Sequence, residues 1–210
     1  MIAVIDYELG NTGSVVKAFK YLGFPVCLTA DFQEIQRADR IVLPGVGAFG
    51  EGMENLRNRG LEKIIRDEIN KGKLFFGICL GMQLLLTKSE EEENIKGLNL
   101  INGQVRRFKG SRVGKVPQIG WNQVNLLRED LVFRGIKKDY LYFVHSYFVE
   151  PAEKSCILGL TNYGKETFAS IIRKDNIWGM QCHPEKSGKT GLQILKNFGE
   201  VVYNGNYTGN

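Results

Sequence analysis

The stretch Leu74-Phe75-Phe76-Gly77-Ile78-Cys79-Leu80-Gly81-Met82-Gln83 decides the fold. An apolar run of strand type leads into one cysteine, glycines lie two residues to either side of it, and a helical pattern follows over residues 82–86. So sharp a turn from strand to helix leaves no room for side chains beside the nucleophile, which explains the glycines. The first N–H groups of the following helix would favour the thiolate. The segment predicts an enzyme that attacks a carbonyl group with Cys79; the alternative is a small buried cysteine of the core.

The base that this nucleophile needs must come from two histidines, His145 and His183. Pro184 biases His183 towards an extended backbone, and in an extended segment residues i and i+2 project to the same side. Glu185 is therefore predicted to orient the imidazole of His183 and to complete a triad of nucleophile, base and carboxylate. For His145, within an alternating strand pattern, a core residue and a functional residue are equally supported.

The first half of the chain alternates predicted strands with predicted helices, at 2–5, 11–22, 25–29, 40–43, 61–69 and 74–78. This alternation predicts an α/β fold with an open, mostly parallel central sheet flanked by helices. After residue 100 strand-like runs dominate, at 105–108, 122–126, 141–149, 157–160, 168–172 and 177–181. They predict an antiparallel extension in the C-terminal half that carries both histidines. A closing helix is predicted from Leu192, Leu195, Phe198 and Val202.

Length and composition fit one domain over residues 1–210. The hydrophobic content of 43% and the charged content of 24% are ordinary for globular proteins. No apolar run approaches the roughly 18 residues of a membrane span, and the amino terminus lacks the basic start and long apolar core of a signal peptide. We therefore expect a cytoplasmic protein that does not bind membranes.

The net charge of +5 does not predict nucleic-acid binding. Five basic residues lie between positions 106 and 115, and a solvated hairpin and loop explains them better than a binding role. The acidic run 90–93 is interpreted as a solvated helix end. Four cysteines, at 27, 79, 156 and 182, lack the close spacing of a metal site or a disulfide framework. We expect no metal site, and reduced thiols as in the cytosol.

The motif Gly-Ile-Cys-Leu-Gly-Met-Gln around Cys79, together with His183-Pro184-Glu185, resembles the class I, or triad, glutamine amidotransferases. Further segments resemble one branch of that family, the glutaminase subunits of imidazole glycerol phosphate synthase in histidine biosynthesis. The resemblance runs from residue 2 to residue 198 and includes the segments 44–49, 116–122, 142–147 and 183–187. It implies a flavodoxin-like sheet, glutamine as the substrate and no cofactor.

The resemblance also implies substrate contacts. Gln83 follows the nucleophile by one helical turn and lies on the same face. With Glu91 it would recognise the α-amino and α-carboxylate groups of glutamine. Backbone groups of Ser146 and Tyr147 would hold the same end of the substrate.

The turn Pro44-Gly45-Val46-Gly47 follows a predicted strand and has the composition of an ordinary strand-to-helix turn. Beside a cysteine nucleophile, backbone N–H groups of Gly45, Val46 and Gly47 are predicted to form an oxyanion hole with the N–H of Leu80. Each such donor contributes roughly 2.7–4 kcal/mol. Because two glycines bracket Val46, we expect a peptide flip that aims an N–H at the site only when a partner subunit is docked.

The partner implied by the resemblance is a (β/α)₈-barrel cyclase subunit that forms a heterodimer with this chain and consumes its ammonia. The family has its interface at or near Asn11, Trp121, Asn122, Tyr142 and Lys186. Core and turn positions are the alternative for Trp121 and Asn122. Two residues depart from the family pattern: Gln118 replaces a usual histidine, and Cys182 replaces a usual aromatic residue and is expected to alter only packing.

Together these residues predict hydrolysis of glutamine to glutamate and ammonia through a γ-glutamyl thioester on Cys79. Three alternatives stay open. A paralogous glutaminase would feed ammonia to a sugar-modifying amidotransferase, and a stand-alone γ-glutamyl cysteine hydrolase would be active without a partner. A non-catalytic regulatory subunit would not need the complete triad.

Overall fold

Five parallel strands form the centre of the sheet in the computed structural model, which describes residues 1–136 and 138–202. They are β1 (Ile2–Ile5), β2 (Val26–Thr29), β3 (Arg40–Gly45), β4 (Leu74–Cys79) and β12 (Ile177–Met180). Their order, β2-β1-β3-β4-β12, is the 2-1-3-4-5 order of flavodoxin-like sheets when only the parallel strands are counted. Their sequences are nearly continuous apolar runs because both faces of the sheet are covered.

Helices cover both faces of the parallel sheet. Because successive strand residues face opposite sides, Val42 belongs to one buried cluster and its neighbour Leu43 to the other. The cluster around Val42 includes residues of α1 (Thr12–Tyr21) and α7 (Gly188–Glu200). The cluster around Leu43 includes residues of α2 (Phe32–Arg37), α3 (Phe49–Asn58) and α4 (Leu61–Asn70). Among the helices of the described ranges, none is long and apolar enough to cross a membrane.

The predicted antiparallel extension is confirmed, with one correction. The sheet continues beyond β12 in the order β11-β10-β7-β8, and β9 pairs with β11 and with β6. However, β12 pairs in parallel with β4, so His183 follows a strand of the parallel centre and not of the extension. The remaining elements are α5 (Leu80–Gln83), β5 (Lys88–Ser89), β6 (Gly103–Arg107), α6 (Gly110–Val113), β7 (Gln118–Leu126), β8 (Lys138–His145), β9 (Tyr147–Pro151), β10 (Ile157–Tyr163) and β11 (Glu166–Lys174).

Several predicted boundaries were wrong. The helix after Cys79 ends at Gln83 and not at residue 86, because the segment 98–101 supplies tertiary hydrogen bonds to the carbonyl groups of residues 84–86. Strand β3 continues through Pro44 and Gly45, since both stay in register with β4. The run 141–149 is two strands separated at Ser146, because β8 pairs with β7 whereas β9 pairs with β6. The predicted closing helix is present as α7 but ends before Val202.

The turn after β4 requires both of its glycines. Cys79 has a φ of 54°, a left-handed backbone that residues other than glycine rarely adopt. A side chain on Gly77 would place its first carbon 2.6 Å from the carbonyl oxygen of Gly81. One on Gly81 would place it 1.8 Å from the carbonyl oxygen of Leu43. The strand-to-helix elbow is therefore present, and the neighbours of its glycines are backbone atoms that cannot move aside.

Replacing Gly81 by alanine is expected to destabilise the fold by about 3 kcal/mol or more, because the new methyl group would overlap the Leu43 carbonyl. Gly13→Ala is the matched control. Gly13 lies in α1 with no atom within 4 Å of the added carbon, and alanine is the better helix former. Urea unfolding midpoints of both variants and wild type measure the difference; an unchanged midpoint for Gly81→Ala would contradict the close approach.

Candidate active site

A small cavity lies at the carboxyl ends of β3 and β4, where ligands of doubly wound sheets bind. Its volume is about 140 Å³. Pockets for drug-sized ligands measure roughly 300–1,000 Å³, so this cavity suits a molecule of amino-acid size. Nine of the ten residues that line it were considered as candidate functional residues from the sequence, all except Val144; the ten are Val46, Gly47, Cys79, Leu80, Gln83, Glu91, Val144, His145, Ser146 and Tyr147.

The predicted base and its carboxylate are in hydrogen-bond contact. Nδ1 of His183 donates to Oε1 of Glu185 at 2.9 Å, and the two side chains are 2% and 1% exposed. The local backbone differs from the prediction, since residues 184–186 form a 3₁₀ turn and not an extended segment. With the proton on Nδ1 directed at Glu185, Nε2 is the nitrogen that can exchange protons with a reacting group.

The electrostatics of His183 depend on Cys79. Burial lowers the pKa of His183, but interactions with Cys79 and Glu185 outweigh it and raise the pKa to about 10. Interactions with Cys79 contribute more to this raised pKa than the corresponding interactions with Glu185. The raised pKa of His183 supports a protonated imidazole beside the Cys79 side chain at neutral pH. Since the pKa in the folded state exceeds the ordinary 6.5, the resulting stabilisation is complete below pH 6.5 and is lost as the pH rises through about 10.

Glycines hold the predicted oxyanion turn against the nucleophile. Gly45 is the in-register neighbour of Cys79 in the parallel pair β3–β4, and it is buried behind the turn. A side chain on Gly45 would place its first carbon 2.0 Å from the hydroxyl oxygen of Tyr7, so only glycine leaves space for this buried ring. Gly47 has a φ of 120°, a backbone that favours glycine. Val46, between them, is 40% exposed at the cavity.

Glu91 joins the cavity to the helix that follows the oxyanion turn. Its Oε2 accepts the backbone N–H of Phe49, the first residue of α3, at 2.8 Å. A carboxylate is favoured there by the partial positive charge of a helix N-terminus. The carboxylate of Glu92 packs over Gly50 in the same turn of α3. The prediction that the acidic run is a solvated helix end was therefore wrong. Tertiary contacts with α3 hold two of its carboxylates.

His145 has the contacts of a core histidine. Burial lowers its pKa to about 4, so the ring is neutral. Nδ1 lies 2.7 Å from the carbonyl oxygen of Tyr147, which can only accept, and Nδ1 therefore carries the proton. Nε2 is then an acceptor, so the amide of Gln118, 3.1 Å away, must present its NH₂ group to it. Gln118, one of the two departures from the family pattern, thus completes the hydrogen bonds of His145.

Gln181 is a residue of the site that was not predicted from the sequence. This residue follows β12 and is fully buried, and its Nε2 donates to Sγ of Cys79 at 3.5 Å. Since Met180 is the register partner of Ile78, the next residues of the two strands, Gln181 and Cys79, are neighbours. The contact between Gln181 and Cys79 was not predicted because the run 177–181 was assigned to the antiparallel extension. A prediction of parallel pairing with β4 would have placed the two residues side by side.

The predicted interface residues lie mainly around strands β7 and β8. Trp121 is 55% exposed, and its ring meets that of its register partner Tyr142 edge-on at 6.2 Å. The ammonium group of Lys186 lies 5.9 Å from the centre of the Tyr142 ring. We call these three residues the aromatic cluster. Asn122 also lies on β7, where its side chain donates to the backbone of β10, and Asn11 lies at the start of α1.

The other cysteines have structural surroundings. Cys182 is fully buried in the core cluster that also contains Cys79, and burial raises the pKa of its thiol. Cys27, Cys156 and Cys182 form no disulfide. Within residues 1–136 and 138–202, no group of three or more His, Cys, Asp and Glu side chains has an arrangement that would hold a metal ion.

Comparison with known proteins defines the class. The model of the glutamine amidotransferase class-I family matches residues 3–201. A crystal structure of a glutamine amidotransferase aligns with a TM-score of 0.75 and 16% identity, over 96% of this chain and 100% of the other. PurLQS from Thermotoga maritima aligns with a TM-score of 0.75 and 18% identity, over 94% and 96%. At these identities the structural likeness concerns the fold alone, and the family model shows that the chain is a class I glutamine amidotransferase.

Sequence relatives narrow the family to one branch, imidazole glycerol phosphate synthase subunit HisH. The relative from Moorella thermoacetica is 49% identical over 203 residues, 96% of this chain and 95% of its own. The relative from Methanocaldococcus jannaschii is 48% identical over 205 residues, which cover 96% of this chain and 100% of that protein. That from Chlorobaculum tepidum is 45% identical over 201 residues, 95% and 100%. The chain belongs to the HisH family, which confirms the branch predicted from its motifs.

The raised pKa of His183 gives a prediction for nuclear magnetic resonance. In histidine-labelled protein, His183 is expected to stay protonated through neutral pH and to titrate near pH 10, while His145 stays neutral above about pH 4. Cys79→Ala removes an interaction that raises the pKa, so burial should then dominate and the midpoint should fall. Cys182→Ala, the same change at the neighbouring buried cysteine, is the control and should leave the midpoint in place. If the titration midpoint of His183 is the same in Cys79→Ala as in wild type, the proposed interaction between Cys79 and His183 is wrong.

Proposed function

We propose that this chain hydrolyses glutamine to glutamate and ammonia as the glutaminase subunit of an imidazole glycerol phosphate synthase. The observation that carries this proposal is the buried hydrogen bond between His183 and Glu185. Cys79, which lines an amino-acid-sized cavity, raises the pKa of His183. Similarity to HisH subunits over at least 95% of the chain supports this function over a sugar-modifying paralogue or a stand-alone hydrolase.

In the proposed reaction the thiolate of Cys79 attacks the side-chain amide carbon of glutamine. The carbon–sulfur bond forms, His183 gives its Nε2 proton to the leaving nitrogen, and the carbon–nitrogen bond breaks to release ammonia. Water then attacks the γ-glutamyl thioester while His183 takes up one of its protons. The carbon–sulfur bond breaks, glutamate leaves, and the thiolate and the protonated imidazole are restored. Glu185 keeps the ring oriented through both steps.

The cavity offers complementary groups for the amino-acid end of glutamine. Glu91 would attract the α-ammonium group, and its bond to Phe49 would keep its carboxylate in place. Both side-chain N–H groups of Gln83 are already used, by the carbonyl of Tyr147 at 3.1 Å and by Oε1 of Gln181 at 3.0 Å. Gln83 would therefore contribute its own oxygen, as an acceptor for the ammonium group. Backbone groups of Ser146 and Tyr147 would complete the site.

The proposed partner is a (β/α)₈-barrel cyclase that takes up the ammonia in the cytoplasm, where thiols stay reduced. The aromatic cluster is the proposed docking surface, together with Asn11 and Asn122. It is linked to the base, because the backbone N–H of His183 donates to the carbonyl of Tyr142 at 2.9 Å. The hydroxyl of Ser187 accepts the N–H of Tyr142 at 2.9 Å and donates to the carbonyl of His183 at 2.6 Å. A subunit docked on Tyr142 would therefore act directly on the backbone of His183.

Glutamate release by the purified chain tests this function. We expect low activity from the chain alone and a large gain when the cyclase subunit and its nucleotide substrate, or an analogue, are added. Cys79→Ala serves as the blank, since it keeps the fold but removes the nucleophile. Strong activity that is indifferent to the cyclase would instead identify an independent hydrolase.

The oxyanion turn gives a second prediction. Gly47→Ala is expected to lower partner-stimulated turnover by about tenfold or more, because alanine resists the positive φ from which the turn would present its N–H. Gly72→Ala is the matched control: Gly72 also has a positive φ, 93°, but it lies before β4, at the end opposite Cys79. Stimulated turnover that is the same in Gly47→Ala and in Gly72→Ala would rule out a role for the freedom of this turn.

A further inference from the structure

We propose that Gln181 is a catalytic residue whose side-chain NH₂ group stabilises the Cys79 thiolate, as the last member of a buried hydrogen-bonded chain. The inference rests on the proposed glutaminase function and deepens it, since it adds a donor that contacts the reacting sulfur. Sγ of Cys79 lies 3.5 Å from Nε2 of Gln181. The chain of contacts then runs through Gln83 to the carbonyl oxygen of Tyr147.

The orientation of both amides follows from the end of the chain. The carbonyl oxygen of Tyr147 can only accept, so the atom of Gln83 that faces it at 3.1 Å must be the nitrogen. That nitrogen also lies 3.0 Å from the end of the Gln181 amide, which must therefore be the oxygen. The remaining end of Gln181, which faces the sulfur, is then the NH₂ group. His145 donates to the same Tyr147 carbonyl and fixes its position.

The two glutamine side chains of this hydrogen-bonded chain are almost fully buried. Gln181 is fully buried and Gln83 is 5% exposed. The backbone N–H of Gln181 donates to Ser170 on β11 at 2.9 Å, so the residue is held at both its main chain and its side chain. The bond from Gln83 to Gln181 and the bond from Gln181 to Cys79 are both directed towards the sulfur. Two bonds aligned in this way polarise one another in a medium of low dielectric. A donor that is already oriented needs no rearrangement when negative charge returns to the sulfur.

Gln181 would serve a need that the other neighbours of the sulfur do not meet. Helix α5 has only four residues, so its dipole is weaker than the sequence pattern suggested. His183 loses its proton to the leaving nitrogen and is neutral while the thioester exists. The amide of Gln181 keeps its hydrogen through the whole cycle. It would therefore favour the thiolate both as the attacking group and as the leaving group of the second step.

The test is the alkylation of Cys79 by iodoacetamide as a function of pH, in the full chain with and without the cyclase, read by mass spectrometry of the Cys79 peptide. Gln181→Met keeps the length of the side chain but removes the donor. We expect alkylation at neutral pH to be about tenfold slower than in wild type, with the pH midpoint shifted upward, as for the loss of one hydrogen bond to a charged group.

Asn176→Leu is the matched control. Asn176 is a buried amide before β12 that donates to the carbonyl groups of Ile69 and Lys73, at the end of the sheet opposite the sulfur. Its loss should leave the alkylation rate of Cys79 unchanged. If Asn176→Leu slows alkylation as much as Gln181→Met, the effect is a general loosening of the core and the inference is wrong.

Two further results separate the remaining outcomes. Gln181→Glu replaces the NH₂ donor by an oxygen atom at the same side-chain length and should also slow the alkylation of Cys79. If Gln181→Met does not fold, Gln181→Glu serves as the test variant. Alkylation at the wild-type rate in a folded Gln181 variant would overturn the inference. Glutamate release from wild type is measured in parallel. If wild type releases no glutamate but the Gln181 variants are still alkylated more slowly, the glutaminase function is refuted while the role of Gln181 as a donor to the thiolate is supported.

Discussion

The site depends on the in-register parallel pairing of β4 with β3 on one side and with β12 on the other. This pairing places Gly45, Cys79 and Gln181 side by side at the carboxyl edge of the sheet. A slip of one residue in either pair would turn every side chain of that strand to the opposite face. The close approach of Gly81 to the Leu43 carbonyl adds a steric lock, because it sets how the chain leaves β4. The backbone pairing therefore fixes where Cys79, the predicted oxyanion turn and the segment that leads to His183 lie.

The chemistry follows from how the fold compensates buried charge. An ion removed from water is costly unless opposite charge and hydrogen bonds surround it. The carboxylate of Glu185 is buried against His183, and the pKa of that histidine rises because Glu185 and the Cys79 sulfur outweigh the effect of burial. His145, which is also buried but has a carbonyl and an amide as its partners, is neutral instead. The pKa values of the two histidines thus differ because their partners differ, although both side chains are buried.

Direct contacts also connect the site to its surroundings. On the substrate side, Glu91 bonds to the first N–H of α3, the helix that begins directly after the oxyanion turn. On the side of the proposed docking surface, Tyr142 shares backbone and hydroxyl hydrogen bonds with His183 and Ser187. The side-chain hydrogen bonds of these two links are 2.6–2.9 Å long and are partly or fully buried. In the proposed function they would give glutamine a route to the oxyanion turn and a docked subunit a separate route to His183.

Much of this protein was predictable from sequence because its signals are local. The glycines around Cys79 are a steric requirement of one sharp turn, and the spacing of His183 and Glu185 lets two neighbouring residues meet whatever the fold. Apolar runs such as residues 74–78 identify strands covered on both faces. These features were enough to predict the fold class, the family and most residues of the cavity.

Tertiary structure alone decided which strands are neighbours and which polar groups meet across them. The parallel pairing of β12 with β4 brings Gln181 to the sulfur, although 102 residues separate it from Cys79. The acidic run around Glu91 became a cap for α3, and the helix after the elbow ended early because a later segment supplied its hydrogen bonds. Hydrophobic patterning indicates that a strand is buried but not which strand lies beside it. Sequence alone therefore predicted the candidate nucleophile and the class of the fold, while the register of distant strands determined what surrounds the sulfur.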